Sequence, residues 1–320
     1  MPALLATGDE PLTYFVRRDL LGDRVGSPQV LWNHPELLRL LKRQGADGAW
    51  SRGGAPKHAA INYKLIETWR FFRVLVDRYG ITRQHPRGRA AAEYLFSCQT
   101  RDGDIRGMLA DQYATYYTGA ILGLLIRAGY KDDPRVERGL RWLLSMRQDD
   151  GGWTIPILTR KLDRETLYRL TSRHARPVEP DRSKPFSHHW TGMVLRAFAA
   201  HPRCRRSPAA RAAATLLKGR FFQPDSYGSY RAASTWLRFE YPFWWTNLVA
   251  ALDSLSQLGL SGDDASIRAA LEWLREHQQA SGLWKVSYVS GARENAKTRA
   301  MQPWVTLAIC RIFRRLASEV

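Results

Sequence analysis

Two adjacent histidines, His188 and His189, begin a largely apolar segment and are well suited to acid–base chemistry. A histidine beside a carboxylate such as Glu240 or Asp111 can exchange protons near neutral pH. The same four residues could also be considered as zinc ligands, but histidines at adjacent positions suit a shared metal ion poorly. We therefore predict these four residues as catalytic candidates, and we predict neither a metal site nor a cofactor.

Aromatic residues recur close to these candidates. One stands near the start of each long apolar segment, at Tyr63, Tyr117, Trp190, Trp245 and Trp304. Their neighbours Glu67, Tyr113, Tyr116, Tyr241, Phe243 and Trp244 extend the group. These side chains could line a cavity for an apolar ligand and stabilise a cation. For any single aromatic the simpler interpretation is favoured, which is that it packs helices together, and Glu67 could form a plain salt bridge with Arg70 or Arg73.

The segments that would position these residues are separated by a recurring stop. It spans residues 40–50, 94–105, 142–153, 216–230 and 273–284. In each copy leucines precede a glutamine, a glycine turn and an aromatic or large apolar residue. Glycine can end a helix in a left-handed conformation, glutamine can bond the unpaired carbonyls, and the aromatic can pack back over the turn. Recurrence at a period of about 50 residues indicates a repeat architecture.

A long apolar helix is predicted after each stop, over residues 61–80, 112–130, 187–202, 243–260 and 303–317. These helices are apolar nearly all round, as buried helices are, whereas the helices before the stops are amphipathic. The pattern predicts an all-α fold, an (α/α) toroid of five to six helical hairpins with an inner and an outer ring. We expect residues 1–320 to form one domain, with residues 1–28 as a partial repeat or an arm.

Residues 154–186 separate the third stop from its inner helix and form an inserted segment. It contains a predicted short basic helix and a proline-rich linker. It could act as a lid over the cavity, with its cations facing a diphosphate or carboxylate, although a solvated surface excursion is slightly favoured. Arg106 and Arg231, each just after the last residue of a stop, are further anion-binding candidates.

The chain is strongly basic, with a formal charge of +19. Residues 154–240 hold 17 Lys and Arg against 6 Asp and Glu, which places +11 of that charge in one region. Such a field would attract an acidic protein, an anionic membrane surface or, as the least favoured partner, nucleic acid. A bias toward arginine codons explains the charge equally well.

Three dispersed cysteines, an N-terminus without a signal-peptide pattern and the lack of a long apolar run indicate a cytoplasmic protein.

The glutamine-to-tryptophan stops followed by apolar helices resemble the prenyltransferase and squalene-cyclase repeat family over about residues 29–316. The resemblance implies a toroid with a central cavity that handles isoprenoid chains. The chain departs from the family in its chemistry. It has no DxDD acid motif, no DDxxD magnesium motif and no Asp-x-Cys pair for zinc. The acidic pairs at 132–133, 149–150 and 263–264 lie in turns or at helix starts, where Asp caps the backbone.

The expected function is therefore a terpene-cyclase-like or prenyltransferase-like protein that binds an isoprenoid or similar apolar ligand in the cavity, with the reaction left open. The alternative is a non-catalytic helical-repeat protein that binds an acidic partner through its basic face. A polysaccharide-acting toroid is also conceivable, since tryptophans and paired carboxylates serve sugars, but the stops favour the isoprenoid branch.

Overall fold

The computed structural model describes residues 2–228 and 231–317, and most of them are helical. Tyr230, the last residue of the fourth predicted stop, lies outside the described residues. The helices are α1 (Pro2–Leu5), α2 (Glu10–Val16), α3 (Pro35–Lys42), α4 (Tyr63–Tyr79), α5 (Pro86–Ser97), α6 (Thr115–Leu125), α7 (Pro134–Ser145), α8 (Arg164–Ser172), α9 (His188–Ala200), α10 (Pro208–Lys218), α11 (Leu248–Gln257), α12 (Ala265–Glu276) and α13 (Ala296–Ala317). A short strand, β1 (Met108–Asp111), precedes α6, and π-helical turns extend α2 (Arg17–Leu21) and α6 (Ile126–Tyr130).

Six helices form a closed inner ring in the order α2, α4, α6, α9, α11 and α13, and α13 contacts α2 to close it. Outside this ring, α3 and α5 pack against α4, α7 packs against α6, and α10 packs against α9. Every residue of α6 is buried, whereas α7 buries one face and exposes the other. The N-terminal segment, expected to be a partial repeat or an arm, contributes α2 to the inner ring. Among the residues that the structure describes, no helix is both long and apolar enough to cross a membrane.

Local sequence signals set the helix starts. Proline is the first residue of α3, α5, α7 and α10, where its fixed φ angle suits a helix and its missing N–H would have had no partner. Asp133 caps α7 by accepting a hydrogen bond from the Arg135 N–H. Ser187 and Asn247 cap the inner helices α9 and α11 in the same way.

Glycines allow α6 and α9 to lie close together. A Cβ atom at Gly119 would stand 2.5 Å from the Cα atom of Val194. One at Gly123 would stand 3.1 Å from the carbonyl carbon of Arg196. Larger residues would therefore push α9 outward, and α9 carries Arg196 and Trp190 toward the centre of the ring.

In three of the five stops the glutamine bonds the turn that follows it. The Nε2 atoms of Gln44, Gln99 and Gln278 donate to the carbonyl of the glycine four residues later, at 2.7, 2.8 and 2.8 Å. Gln44 and Gln99 also donate to a carbonyl in the first turn of the next outer helix. The glutamine thus satisfies the free carbonyls of one turn and ties it to the next repeat.

The aromatic residue of the stop joins the outer and inner helices. The indole N–H groups of Trp50, Trp153 and Trp284 donate to the carbonyl ten residues earlier, at 3.0, 2.7 and 2.6 Å. Their backbone N–H groups donate to a threonine hydroxyl on the following inner helix, at Thr68, Thr191 and Thr306. In the second stop Ile105 replaces the tryptophan and donates to Thr118. The first, second, third and fifth stops therefore hold their outer and inner helices together.

The inserted segment lies against the strand that leads into α6. α8 contacts β1, and the segment's backbone is bonded to Asp111 and Gln112. Gln148 of the third stop donates to the carbonyls of Asp181 and Lys184, both at 2.9 Å, rather than to a following outer helix. The inserted segment therefore bonds Gln148 in the place where the first two stops bond the next outer helix. It is held both by Asp111 and Gln112 and by the third stop.

The centre of the ring is filled by residues 239–247, here called the central segment, which lead into α11. Its backbone carbonyls are bound by arginines from two different inner helices, Arg73 of α4 and Arg196 of α9. The central segment therefore divides the interior into an aromatic part near the N-terminal ends of α6 and α9 and a polar part near the C-terminal ends of the inner helices.

Candidate functional site

Several of the predicted aromatic residues meet in one cluster. The ring centroids of Tyr116 and Trp190 lie 4.5 Å apart, and those of Tyr117 and Trp245 lie 6.2 Å apart. Trp244 packs on Trp69 at 4.4 Å, a residue that the sequence interpretation did not include. These edge-to-face and tilted contacts are typical of an aromatic core.

The two histidines point to different surroundings. The His189 ring lies against Trp190 at 4.5 Å and Trp245 at 5.6 Å, so it belongs to the aromatic cluster. His188 stacks on Trp236 at 4.6 Å and places Nδ1 3.3 Å from a carboxylate oxygen of Asp225. Only His189 is therefore placed beside the predicted cluster.

Both histidines are neutral at physiological pH. Burial lowers the pKa of His188 to about 4, although the Asp225 carboxylate acts in the opposite direction. Burial, together with the charges of His188 and Arg196, lowers the pKa of His189 to about 3. A neutral imidazole can accept a proton, but it lacks the second ring proton that a general acid would donate.

These buried neutral histidines should make the protein less stable in mild acid. Below the ordinary pKa of 6.5 the unfolded chain takes up protons that the folded chain refuses until the pH reaches about 4 for His188 and about 3 for His189. We expect the free energy of unfolding to fall by at most about 1.4 kcal/mol per pH unit for each histidine as the pH drops from 6.5. Urea unfolding at pH 7 to 5 should show a smaller slope for His189→Gln than for the wild type, and equal slopes would contradict the burial of a neutral His189.

Glu240 stabilises the turn of the central segment. Its Oε1 atom accepts hydrogen bonds from the backbone N–H groups of Trp244 and Trp245, at 2.7 and 2.9 Å. The carboxylate therefore holds both indoles in position, and any role in proton transfer would be additional to this structural role.

Two guanidinium groups, one on α4 and one on α9, bind backbone carbonyls of the central segment. Arg73 donates to the Pro242 carbonyl at 2.8 Å, and Arg196 donates to the carbonyls of Phe243, Trp244 and Trp245 at 3.2, 3.0 and 2.8 Å. Burial lowers the pKa of Arg73 to about 10 and that of Arg196 to about 9, so both remain charged at neutral pH. The interior thus contains two cations that bind carbonyl groups.

The other predicted site residues lie apart from the aromatic cluster. Asp111 accepts a hydrogen bond from the Ala175 N–H at 3.0 Å and lies 3.0 Å from His174 of the inserted segment. Glu67 is buried and pairs with Arg70 at 3.2 Å, the structural alternative considered for it. The remaining positions are Tyr63, half-buried at the start of α4; Tyr113, bonded to Glu179; Trp304, stacked on Tyr241; Arg106, paired with Asp104; and Arg231, exposed.

A cavity of about 870 Å³ opens at the C-terminal ends of the inner helices. Its inner wall is formed by Tyr241 and Phe243 of the central segment, with Phe15 and Val76 beside them. The Tyr241 hydroxyl donates to the Asp77 carbonyl at 3.1 Å and accepts from Arg311 at 3.2 Å. This volume lies within the range of small-molecule sites in proteins. Of the predicted site residues, only Tyr241 and Phe243 line this cavity.

Charged residues around this cavity were missed by the sequence interpretation. They include Asp77, Arg127, Asp253, Arg311 and Arg315, which lie at or near the C-terminal ends of the inner helices. Burial raises the pKa of Asp77, and Arg127 pairs with it at 2.6 Å. A charged residue on the buried face of a helix is a signal of a functional site. A search for such residues in all inner helices would have indicated this cavity.

Known proteins resemble the chain in sequence and in fold. A segment of 57 residues, 18% of this chain, is 37% identical to a squalene-hopene cyclase of Schizosaccharomyces japonicus and covers 8% of that protein. A segment of 158 residues, 48% of this chain, is 29% identical to terpentedienyl-diphosphate synthase of Kitasatospora griseola and covers 28% of it. A type II terpene cyclase from Scytonema, solved with geranylgeranyl dihydroxybenzoate, has a TM-score of 0.50 at 13% identity, over 96% of this chain and 86% of that one. No protein-family model matches the chain.

The closed inner ring with helices packed outside it is the fold of the terpenoid cyclase-like toroids, and the predicted all-α (α/α) toroid is confirmed. The chain is similar in sequence to these two cyclases over part of its length, as its stops and apolar helices indicated. The matching segments span less than a third of the length of either curated relative.

Proposed function

We propose that this terpenoid cyclase-like protein binds an isoprenoid chain in the central cavity. The observation that carries the proposal is the cavity itself, about 870 Å³ in volume and walled on its inner side by Tyr241 and Phe243. Aromatic and aliphatic side chains suit an apolar chain, because the chain leaves water without losing hydrogen bonds. The resemblance to a terpene cyclase solved with a geranylgeranyl substrate supports the same ligand class.

The aromatic cluster lies on the far side of the central segment from the cavity, and we propose that the chemistry takes place there. A ligand that passed the central segment would meet Tyr116, Trp190 and Trp245, whose ring faces can stabilise a cation. His189 lies against two of these rings and is neutral, so we propose it as the proton acceptor. The predicted partners Glu240, Asp111 and His188 have structural bonds of their own and would act only if those bonds changed.

A cavity-filling variant tests the proposal. Ala308 lies on the cavity wall of α13, and Ala317 is an exposed residue of the same helix that lies away from this cavity. We expect the wild type and Ala317→Phe to bind geranylgeraniol, an uncharged isoprenoid, and Ala308→Phe to bind it at least about tenfold more weakly, which corresponds to 1.4 kcal/mol. Isothermal titration and thermal melting of each variant would measure binding and folding together. Equal binding by a folded Ala308→Phe, or none by the wild type, would reject the isoprenoid site.

An acidic partner is the second candidate function. Arg203, Arg205 and Arg206 are exposed on one 3-10 turn between α9 and α10, within the basic region noted in the sequence. A partner held by such a face should be released as salt is raised, because exposed charges are screened. Mass spectrometry of the purified protein would distinguish the two functions, since an isoprenoid would remain bound in high salt and an acidic macromolecule would not.

A further inference from the structure

The two arginines that hold the central segment have no ion-pair partner. Neither Arg73 nor Arg196 forms a salt bridge with any residue that the structure describes. Arg73 is 7% exposed, and its charge acts on the Arg196 guanidinium. Buried charges in proteins are usually paired, because a charge that leaves water loses its solvation. Two like charges without a carboxylate partner therefore indicate that another group offsets them.

The carboxylates around these two arginines are bound to other groups. Glu240 acts on both arginines without forming an ion pair, and its Oε1 atom accepts hydrogen bonds from two backbone N–H groups of the central segment. Asp77, which acts on the first arginine, is paired with Arg127. Asp253, which acts on the second, is paired with Arg315. Two cations against the one carboxylate that they share leave one positive charge.

Four buried N–H donors at the same place have no acceptor among the described residues. They are the Nε atoms of Arg73 and Arg196 and the Nε1 atoms of Trp69 and Trp244. The centroids of the two indole rings lie 4.4 Å apart, and the Arg73 Cζ atom lies 4.9 and 4.4 Å from them, so these three side chains form one cluster. Aromatic faces stabilise a cation but are weak hydrogen-bond acceptors. A buried group that accepts several of these donors would therefore stabilise the cluster.

We propose that a chloride ion binds at the cluster of Trp69, Arg73 and Trp244 and fixes the central segment in place. Its single negative charge matches the one positive charge that remains. A spherical ion accepts hydrogen bonds from any direction, so it suits guanidinium and indole donors that lie at different angles. A water molecule would accept only two hydrogen bonds and would leave the charge unbalanced. None of these three residues lines the central cavity, and the inference does not rest on the proposed function.

Bromide is the probe that locates the site, because it replaces chloride and scatters X-rays anomalously. We expect crystals of the wild type grown in sodium bromide to show an anomalous peak within hydrogen-bond distance of the Arg73 Nε atom or of an indole N–H of the cluster. Bromide bound only at the protein surface, with water or no density at the cluster, would overturn the proposal.

Thermal melting measures the same site in solution. Sodium chloride is exchanged for sodium gluconate at constant ionic strength, so that only the identity of the anion changes. We expect the Tm of the wild type to rise by about 2 °C when chloride reaches about ten times its Kd. Trp69→Phe keeps an aromatic ring but removes one donor, and it should bind chloride at least about tenfold more weakly.

Trp50→Phe is the matched control for this variant. Trp50 is also fully buried, but its indole N–H donates to the Leu40 carbonyl, so its loss should leave the dependence of the Tm on chloride as it is in the wild type. A Tm that does not respond to chloride in the wild type, or an equal response in Trp69→Phe and the wild type, contradicts the site. If Trp69→Phe does not fold, the bromide peak in the wild type decides. No isoprenoid enters either experiment, so the result is independent of the proposed function.

Discussion

Replacing Trp153 by alanine is expected to lower the free energy of unfolding by about 3–5 kcal/mol. The Trp153 side chain is fully buried and packs on Phe198 with ring centroids 5.4 Å apart. Its indole N–H donates to the Leu143 carbonyl at 2.7 Å, and its backbone N–H donates to Thr191 at 2.8 Å. The substitution would remove the packing between α7 and α9 and leave the Leu143 carbonyl with only its bond from the Met146 N–H.

Leu144→Ala is the matched control for this prediction. Leu144 lies on the same helix but is 41% exposed, so its loss should change stability by no more than about 0.5 kcal/mol. Urea unfolding followed by circular dichroism would measure both variants against the wild type. Similar midpoints for Trp153→Ala and the wild type would show that the tryptophan does not hold the outer helix to the inner ring.

The second large effect is expected for Arg196→Met. Methionine keeps much of the length of the side chain but cannot donate to the carbonyls of Phe243, Trp244 and Trp245. An unsatisfied buried carbonyl costs about 1–3 kcal/mol, so we expect a loss of at least about 3 kcal/mol or a release of the central segment. Hydrogen exchange distinguishes these results, because release would expose the backbone N–H groups of Trp244 and Trp245, which are now bonded to Glu240.

Arg203→Met provides the control, since Arg203 is exposed and the change removes the same charge. Its unfolding free energy and its exchange rates should match those of the wild type within about 0.5 kcal/mol. Unchanged stability and unchanged protection of both amides in Arg196→Met would mean that the central segment is held by its aromatic contacts alone. The cavity wall would then depend on Tyr241 and Trp304, whose rings stack at 5.5 Å.

The helical fold could be predicted because its signals are local. Proline and capping residues mark the starts of the helices, and in the first and fifth stops the glutamine and the tryptophan side chains both bond groups within ten residues. The partners of these stops on the inner helices were harder to see. Thr68, Thr118, Thr191 and Thr306 are ordinary residues in apolar segments, and only their position beside a stop gives them their role.

The candidate site could be predicted in part. Four of the predicted side chains come together. Tyr116 lies in the first turn of α6, His189 and Trp190 lie in the first turn of the adjacent α9, and Trp245 lies just before α11. His188 is one residue away and points to Asp225, since neighbouring residues on a helix face different directions. The roles of Asp111 and Glu240 as backbone anchors could not be read from their types, because a carboxylate suits a catalytic site and a capping position equally well.

By itself, the sequence determined a repeating pattern of apolar and amphipathic helices, and hence a ring with an enclosed centre. The tertiary structure decided what fills that centre. Arg73 bonds a carbonyl 169 positions away, at Pro242, and Arg311 and Asp19 meet across the ends of the chain. Periodicity and capping act over a few residues, so they specify helices and turns. The choice of central segment, aromatic cluster and charged cavity depends on side chains that become neighbours only when the ring closes.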